Sequence, residues 1–328
     1  MTRKVKTQVK ILLGVVVLAI VLIVAWHFGL NPGALIEAGL LAMTPLALAA
    51  IGECINEKAG VVNIGLEGIL LITAVAGVYG AELAGNGYVG LLVGMIVGAL
   101  IGFLFGLASV YGRADQIVAG IGINVFAVGF VPYVIMALWA FPGIHIPPKE
   151  VLVPLISTPL MRISAITILT IILGILLHYM LHRTPLGLRI KAAGEMPMAL
   201  DVAGVRVDYV RIFTATLGGA LTGLGGAFMP LAWFGGIVKE ISAGRGFIAL
   251  ACVVSSGLEP LLALAFAFLF GFAEGLAYTV AVTPGVKEAV PYHLVLMIPY
   301  IVTLLVVTIF IGGRRFPRAM ATPYVREE

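Results

Sequence analysis

The chain has 328 residues, of which 61% are hydrophobic and only 11% are charged. Soluble domains carry about 25% charged residues, so the composition excludes a water-soluble globule and requires a lipid bilayer as solvent. The net charge of +4 does not indicate a nucleic-acid partner, because the basic residues lie at the ends of apolar runs and form no stripe with interleaved aromatic residues. The 41 glycines favour close packing of membrane helices.

Apolar runs of the length that a membrane span needs, about 20 residues, recur throughout the chain. We predict an all-α, polytopic transmembrane helical bundle of about 10 spans (roughly 8–10), in a single domain over residues 1–328. The first run is interpreted as an uncleaved helix, because no small-residue cleavage site closes it. The eighth run is short and polar at its start, so it either crosses the membrane or is re-entrant. The runs are 11–30, 34–52, 61–83, 88–111, 116–140, 163–181, 211–231, 243–258, 260–281 and 291–311.

The distribution of basic residues orients this bundle. With an even number of spans, both termini lie on one side of the membrane, and 15 of the 20 Lys and Arg residues fall on that side. Cytoplasmic loops carry the excess of Lys and Arg. Both termini are therefore predicted to be cytoplasmic, in a multi-pass protein of the cell membrane.

A polar segment, Gly52–Gly68, separates the second and third runs. Charges at membrane depth are costly and usually face a cavity or a partner, while the glycines of this segment permit a broken helix. Two interpretations of its first part stay open. Either the segment turns at the cytoplasmic surface, with Lys58 paired to Glu53 or Glu57, or these charges lie inside the protein.

Four polar residues inside predicted spans are candidates for a solute pathway. Asn63 and Glu67 share one face if the helix is continuous there, and they either line the pathway or serve as structural polar groups. Asn124, flanked by glycines, either bonds a solute or makes an interhelical hydrogen bond. Glu274 has no cation in its own run, so it is protonated, paired across helices or near the pathway.

The longest polar loop on the basic side runs over residues 182–209. Pro185 and Gly187 are predicted to end the preceding helix. Ala192–Ala203 is predicted to be a short amphipathic helix, with Gly204 as its stop. Such a helix either docks a soluble partner or lies on the lipid surface, and the residues alone do not decide between the two.

This loop resembles the coupling loop of permease subunits in ATP-binding-cassette (ABC) importers, on Lys191–Glu195, Ala199 and Ala203–Val205. The resemblance is to the branch that serves branched-chain amino acids, simple sugars and nucleosides, and it extends from about Glu37 to Gly313. It implies that the loop sits in a groove of the ATPase subunit and transmits nucleotide-driven movement. The implied coupling residues are Ala193, Gly194, Glu195, Ala199, Ala203 and Gly204.

Within that branch, Gly52–Gly68 resembles the nucleoside-type permeases, closest to those for guanosine and other purine nucleosides. The resemblance implies a nucleoside as cargo, handed over by an extracytoplasmic binding lipoprotein. A simple-sugar or branched-chain amino acid permease is the alternative. With a nucleoside as cargo, Trp139 and Trp233 have two interpretations: the aromatic belt at the membrane surface, or stacking on a nucleobase.

No Walker A motif is present in the chain. The chain is therefore expected to be no enzyme and to bind no cofactor, with ATP and Mg²⁺ used by a partner ATPase subunit. A second permease subunit, expected to be a non-identical sister, is the further partner. An ion-coupled secondary transporter is the alternative class, with Glu67 and Glu274 as proton carriers. His145 and His293 have no partner at ligand spacing, so no metal site is predicted.

Overall fold

The computed structural model describes residues 31–140, 143–159, 161–282, 297–310 and 316–325. Within these ranges the chain is mostly helical, and seven helices are long and apolar enough to cross a membrane. The predicted helical class is confirmed, whereas the count of about 10 spans and the position of the two termini are not. The predicted run 11–30 and the first part of 291–311 lie outside the described residues.

The helices are numbered here in chain order, and a short antiparallel hairpin accompanies them. The long helices are α1 (Pro32–Lys58), α2 (Leu66–Ala84), α3 (Gly87–Val110), α4 (Gln116–Trp139), α5 (Ala165–Arg183), α8 (Val207–Phe228, continued by a π-turn Met229–Trp233) and α10 (Pro260–Val282). The shorter elements are the 3₁₀ turn Lys149–Val151, β1 (Leu155–Ser157), β2 (Arg162–Ser164), α6 (Pro185–Glu195), α7 (Pro197–Val202), α9 (Arg245–Ser256) and α11 (Ile298–Phe310).

Side-chain caps fix where five of these helices begin. Each cap side chain accepts a hydrogen bond from a backbone N–H of the first turn, as Asn, Asp, Ser and Thr do best. Pro185 then occupies the first position of α6, where the missing N–H is no loss. The predicted end of the preceding helix at this proline is confirmed. The caps are Asn31 for α1, Asn86 for α3, Asp115 for α4, Ser164 for α5 and Thr184 for α6.

Helices α1 and α8 form the centre of the bundle, and most of their residues are buried. Glycines four residues apart let α8 lie directly on α3. A Cβ added at Gly98 of α3 would lie 2.6 Å from the Cα of Gly223, so a side chain there would force the helices apart. The expected packing through small residues is confirmed. The facing glycines are Gly98 and Gly102 on α3 with Gly219 and Gly223 on α8.

The bundle has two ends, which we name by a residue at each. At the Glu82 end, the Glu82 carboxylate bonds the His145 ring at 2.6 Å, and the His145 backbone pairs with Ile237. At the Lys58 end, the Lys58 ammonium bonds Glu259 at 3.1 Å. Helix α1 therefore finishes at the Lys58 end, and α2 finishes at the Glu82 end.

The predicted run 243–258 contains only α9, a helix of 12 residues that is about 18 Å long. The hydrocarbon core of a bilayer is about 30 Å thick, so α9 is too short to cross it alone. The irregular stretch 234–244 supplies the rest of the path, because Ile237 lies at the Glu82 end and Glu259 at the Lys58 end. The eighth run is therefore the helical half of a broken crossing.

Candidate functional site

The helix break between α1 and α2 is the first candidate site. Helix α1 runs to Lys58, and Glu53 and Glu57 are buried in its last turns. The interpretation of this part as a surface turn with Lys58 paired to Glu53 or Glu57 is wrong, because the Lys58 ammonium bonds Glu259, 201 residues along the chain. Residues 59–65 are not helical, and α2 begins only after them. The broken helix that the glycines permit is present.

The buried Glu53 carboxylate stabilises this break by accepting hydrogen bonds. One oxygen accepts the backbone N–H of Asn63 at 2.6 Å, and the other accepts the Asn56 side chain at 3.1 Å. The Asn63 side chain in turn accepts the N–H of Gly65 at 2.8 Å. Irregular backbone inside a membrane protein needs such internal partners. Because the helix starts after Asn63, this residue does not share a helical face with Glu67.

Asn124 of α4 spans the same break. Its side-chain oxygen accepts the N–H of Gly68 at 2.8 Å, and its amide donates to the carbonyl oxygen of Ile64 at 3.0 Å. Gln116 acts in the same way, since its side-chain oxygen accepts the N–H of Val62 at 2.8 Å. Of the two interpretations of Asn124, the interhelical hydrogen bond is the one that the structure contains.

Glu67 lies at the start of the half-length helix α9. One carboxylate oxygen accepts the Ser242 hydroxyl at 2.5 Å and the N–H of Gly244 at 2.7 Å, and the other accepts the N–H of Gly246 at 2.6 Å. A carboxylate at a helix N-terminus satisfies N–H groups that lack an intrahelical partner, and it opposes the positive end of the helix dipole. Glu67 therefore fastens α9 to the start of α2.

Arg245, which sequence reasoning did not select, is buried at the same place. Its guanidinium donates to the carbonyl oxygen of Ile241 at 2.8 Å and to the Glu274 carboxylate of α10. It also lies over the Trp233 ring at 4.7 Å and over the Phe234 ring at 5.1 Å from the centroids. Glu274 is thus paired across helices. The sequence signal for this pair is an arginine at the start of an apolar run that is too short to span.

The ion pair leaves one donor and one acceptor unused. Within the part of the chain that the structure describes, Arg245 Nε and Glu274 Oε2 are buried without a hydrogen-bond partner. A buried polar atom without a partner costs about 1–3 kcal/mol. Exposed aromatic faces border the pair. We name this group the Arg245 cluster: Glu67, Trp233, Phe234, Arg245, Glu274 and Tyr278.

The polar loop 182–209 forms the second candidate site. It folds as two helices, α6 and α7, and the single helix predicted over Ala192–Ala203 is wrong. The break falls at Met196, which has φ −147° and ψ 74°. Pro197 follows it, and a proline disfavours helical backbone in the residue before it. Gly204 follows α7 with φ +80°, in agreement with the predicted stop.

The six predicted coupling residues divide between two environments. Ala193 and Gly194 are buried against the bundle. The others are exposed, and large apolar side chains are exposed with them, which gives α6 and α7 an apolar outer surface. The exposed residues are Glu195, Ala199, Ala203 and Gly204, with Leu188, Met196, Met198 and Val202 as the large apolar ones.

Gly194 lies directly against the end of α1. A Cβ on Gly194 would collide with the carbonyl oxygen of Lys58, and the Gly194 carbonyl oxygen accepts the N–H of Ala319 at 2.8 Å. Gly60, at φ +89°, accepts the N–H of Ala321 at 3.0 Å. The loop, the helix break and the described C-terminal segment therefore meet at the Lys58 end.

Arg211 of α8 binds these three segments together. Its guanidinium is buried and donates to the carbonyl oxygens of Ala59 at 3.1 Å, Ala193 at 3.2 Å and Thr322 at 2.7 Å. A guanidinium carries five donors in a rigid fork, so one side chain can join several carbonyl groups. Sequence reasoning counted Arg211 only as a cytoplasmic charge and missed this role.

Lys191 brings a further positive charge to the same junction. Desolvation lowers the pKa of the Lys191 ammonium, and the neighbouring Lys58 lowers it further, while Glu259 opposes both. Two ammonium groups and one carboxylate therefore interact where α6 meets the end of α1.

These features define the class of protein. Among the described residues, seven helices are long and apolar enough to cross a membrane, the charges of the Arg245 cluster lie at a broken crossing, and a polar loop presents two exposed helices. Broken helices with buried polar groups are the architecture of membrane transport proteins. The chain is a multi-pass membrane permease.

A family model described as "Branched-chain amino acid transport system / permease component" matches residues 35–307, and the chain belongs to this family. The chain is 34% identical over 312 residues to "Guanosine ABC transporter permease protein NupQ" of Bacillus subtilis (strain 168), with 89% of this chain and 96% of that protein covered. It is 33% identical over 309 residues to "Nucleoside ABC transporter permease protein NupC" of Lactococcus lactis subsp. cremoris (strain MG1363), with 88% and 96% covered. No solved structure gives a significant match.

The predicted family is confirmed by these matches. Its members are permease subunits of ABC transporters, so the chain is a transport subunit and not an enzyme. Hydrolysis of ATP belongs to a separate ATPase subunit, and the family implies an ATPase and a binding protein as partners.

Proposed function

We propose that this chain is one permease subunit of an ATP-driven nucleoside importer, with a purine nucleoside such as guanosine as cargo. The names of the two relatives support this cargo, and both relatives match over nearly the whole chain. The Arg245 cluster is the structural observation that supports it best. A nucleobase combines flat faces that stack on aromatic rings with a polar edge, and the cluster combines exposed rings with an unused donor and acceptor.

In this proposal the pathway residues are Glu274 and its partner Arg245. In this proposal Asn63, Glu67 and Asn124 do not contact the solute, because their side chains already bond the backbone of the helix break or of α9. These three residues keep the broken helices in place. They fix the position of the groups that meet the solute.

The loop helices are proposed to dock on the ATPase subunit. The exposed apolar surface of α6 and α7 would enter the ATPase groove, with Glu195 and Gly204 in the contact. Displacement would pass from Gly194 to the end of α1, and through Arg211 to the helix break. The Lys58 end is then cytoplasmic, with both termini on that side, and the Glu82 end receives the binding lipoprotein.

The proposal needs a second permease subunit, a non-identical sister, which completes the pathway. The test is uptake of labelled guanosine by proteoliposomes that contain both permeases and the ATPase, with the binding lipoprotein outside. We expect uptake to require ATP, to ignore ionophores and to be competed by nucleosides.

Competition by glucose or leucine instead would favour the sugar or amino acid alternative. Uptake by this chain alone, or uptake that ionophores abolish, would contradict the importer and favour an ion-coupled transporter.

A further inference from the structure

A cluster outside the proposed pathway combines two histidines and a carboxylate at the Lys58 end. His178 and His182 lie four residues apart on α5, and Glu259 lies in the turn between α9 and α10. The Glu259 Oε2 atom is 3.3 Å from His182 Nε2 and 3.7 Å from His178 Nδ1. One ligand atom from each of the three residues lies within 4.8 Å of the others.

The proton on the His182 ring is fixed by its neighbour. His182 Nδ1 lies 3.0 Å from the carbonyl oxygen of His178, and a carbonyl oxygen can only accept a hydrogen bond. The proton of the neutral ring is therefore on Nδ1, and the lone pair of Nε2 faces Glu259 Oε2. Two acceptors at 3.3 Å repel each other unless a cation lies between them.

The Nδ1 atom of His178 is the third atom at this point. Among the described residues, its Nδ1 atom is buried and has no hydrogen-bond partner. Two imidazole nitrogens and one carboxylate oxygen thus converge on one point, where their lone pairs could bind a metal ion. Two imidazoles with one carboxylate form a donor set of zinc sites that keep a fourth position for water.

The distances from the Glu259 oxygen to the two imidazole nitrogens fit a small transition-metal ion. Bonds of about 2.0–2.1 Å from a tetrahedral Zn²⁺ place neighbouring ligand atoms about 3.3 Å apart, and the two measured separations are 3.3 and 3.7 Å. Supporting contacts of the usual kind are also present. His182 Nδ1 donates to a backbone carbonyl, and the second Glu259 oxygen accepts from Lys58 at 3.1 Å.

We propose that His178, His182 and Glu259 form a binding site for a divalent transition-metal ion of the Zn²⁺ type. The site joins the end of α5 to the turn before α10. Since α6 follows α5 with only Thr184 between them, a bound ion would restrain the base of the loop helices. Occupancy of the site is then expected to slow the movement of α6 and α7.

The test is a titration of the purified full-length chain in detergent, carried on an affinity tag without histidines and stripped with a chelator. Co²⁺ serves as a coloured probe for a zinc site. We expect one equivalent of Co²⁺ to bind with the visible absorption of a four-coordinate ion and to be displaced by Zn²⁺. His178→Gln and His182→Gln should each weaken Co²⁺ binding by at least about 100-fold. Loss of a supporting contact alone weakens metal binding by about 100-fold at most, so a larger loss indicates a direct ligand.

His145→Gln is the matched control, because His145 also contacts a carboxylate, Glu82, but lies at the other end of the bundle. This variant should bind Co²⁺ as the wild type does. Co²⁺ binding that survives in His178→Gln and His182→Gln, or wild-type protein that binds no added Co²⁺, would overturn the proposal. If the wild type takes up no metal and His182 carries a second proton in NMR spectra, the cation in the cluster is H⁺, and the metal site is again refuted.

Discussion

Gly194 lies so close to the carbonyl oxygen of Lys58 that no side chain fits between α6 and the end of α1. The carbonyl group of Gly194 is also bonded to Ala319, so this part of α6 is held from two directions. Close-packed contacts transmit displacement because they hold few voids that could absorb it. This contact is therefore a direct route from the loop helices to the break between α1 and α2.

The first prediction concerns this contact. Gly194→Ala forces a methyl group against the Lys58 carbonyl, and overpacking of this kind costs about 1–3 kcal/mol. We expect α6 to be displaced and ATP-driven guanosine uptake to fall by about tenfold or more, with membrane insertion unchanged. Uptake is measured in the reconstituted transporter.

Gly122→Ala is the control, because a Cβ at Gly122 of α4 meets nothing within 4 Å. It should leave uptake at the wild-type level. Equal uptake by the two variants would remove the Gly194 contact from the coupling route.

The second prediction concerns Arg211. Arg211→Lys keeps the positive charge but replaces five forked donors by three on one nitrogen, so it cannot reach Ala59, Ala193 and Thr322 together. Each hydrogen bond to a charged group is worth about 1.5–3 kcal/mol. We expect hydrogen exchange at the backbone amide of Ala319 to accelerate by about tenfold or more, measured by mass spectrometry on the purified chain.

Arg206→Lys is the comparison, since Arg206 is exposed and its guanidinium pairs with the nearby residues Asp208 and Tyr209. Arg206→Lys should have a negligible effect on hydrogen exchange at the backbone amide of Ala319. Unchanged protection in Arg211→Lys would mean that the C-terminal segment is held by its other bonds.

The third prediction concerns Glu67 as the cap of α9. Glu67→Ala leaves the Ser242 hydroxyl and two backbone N–H groups without their acceptor, at about 1–3 kcal/mol each. We expect the apparent Tm in detergent to fall by about 5 °C or more. Glu150→Ala, at an exposed position, should leave it unchanged.

A Glu67→Ala variant with wild-type Tm and lost uptake would instead place Glu67 in the pathway. Stability and uptake thus separate the two interpretations that the sequence left open.

The fold was predictable where local sequence decides it. Hydropathy located the long helices, and the glycines of Gly52–Gly68 indicated the break before α2. The side chains that stabilise this break were not predictable, because they come from distant parts of the chain. The Asn124 side chain bonds Gly68 from 56 residues away, and the Gln116 side chain bonds Val62 from 54 residues away. No local sequence pattern predicts such pairs.

The candidate site was only partly predictable, because its residues also come from separate parts of the chain. Glu274 stood out as a carboxylate inside an apolar run, but its partner is 29 residues earlier on another helix. Arg245 was counted only among the charges opposite the cytoplasmic side, although it lies in the predicted run 243–258, which was left open as crossing or re-entrant. Only the folded chain brings the two together.

The last prediction distinguishes a structural role of the Arg245–Glu274 pair from a role in transport. Glu274→Gln leaves the buried Arg245 guanidinium without its counter-charge, and breaking a buried pair costs about 3–5 kcal/mol. We expect this variant to lose both thermal stability and uptake. Replacing both partners by methionine is often neutral or stabilising, because no unpaired charge remains. The double variant Arg245→Met with Glu274→Met should therefore recover the wild-type Tm.

Uptake of guanosine by the double variant should nevertheless stay at background, because the donor and acceptor proposed for the nucleobase are gone. The measurement is uptake beside Tm for both variants in the same preparation. Normal transport by a stable double variant would show that the pair only holds α9 on α10, and the pathway would then have to be sought at other side chains.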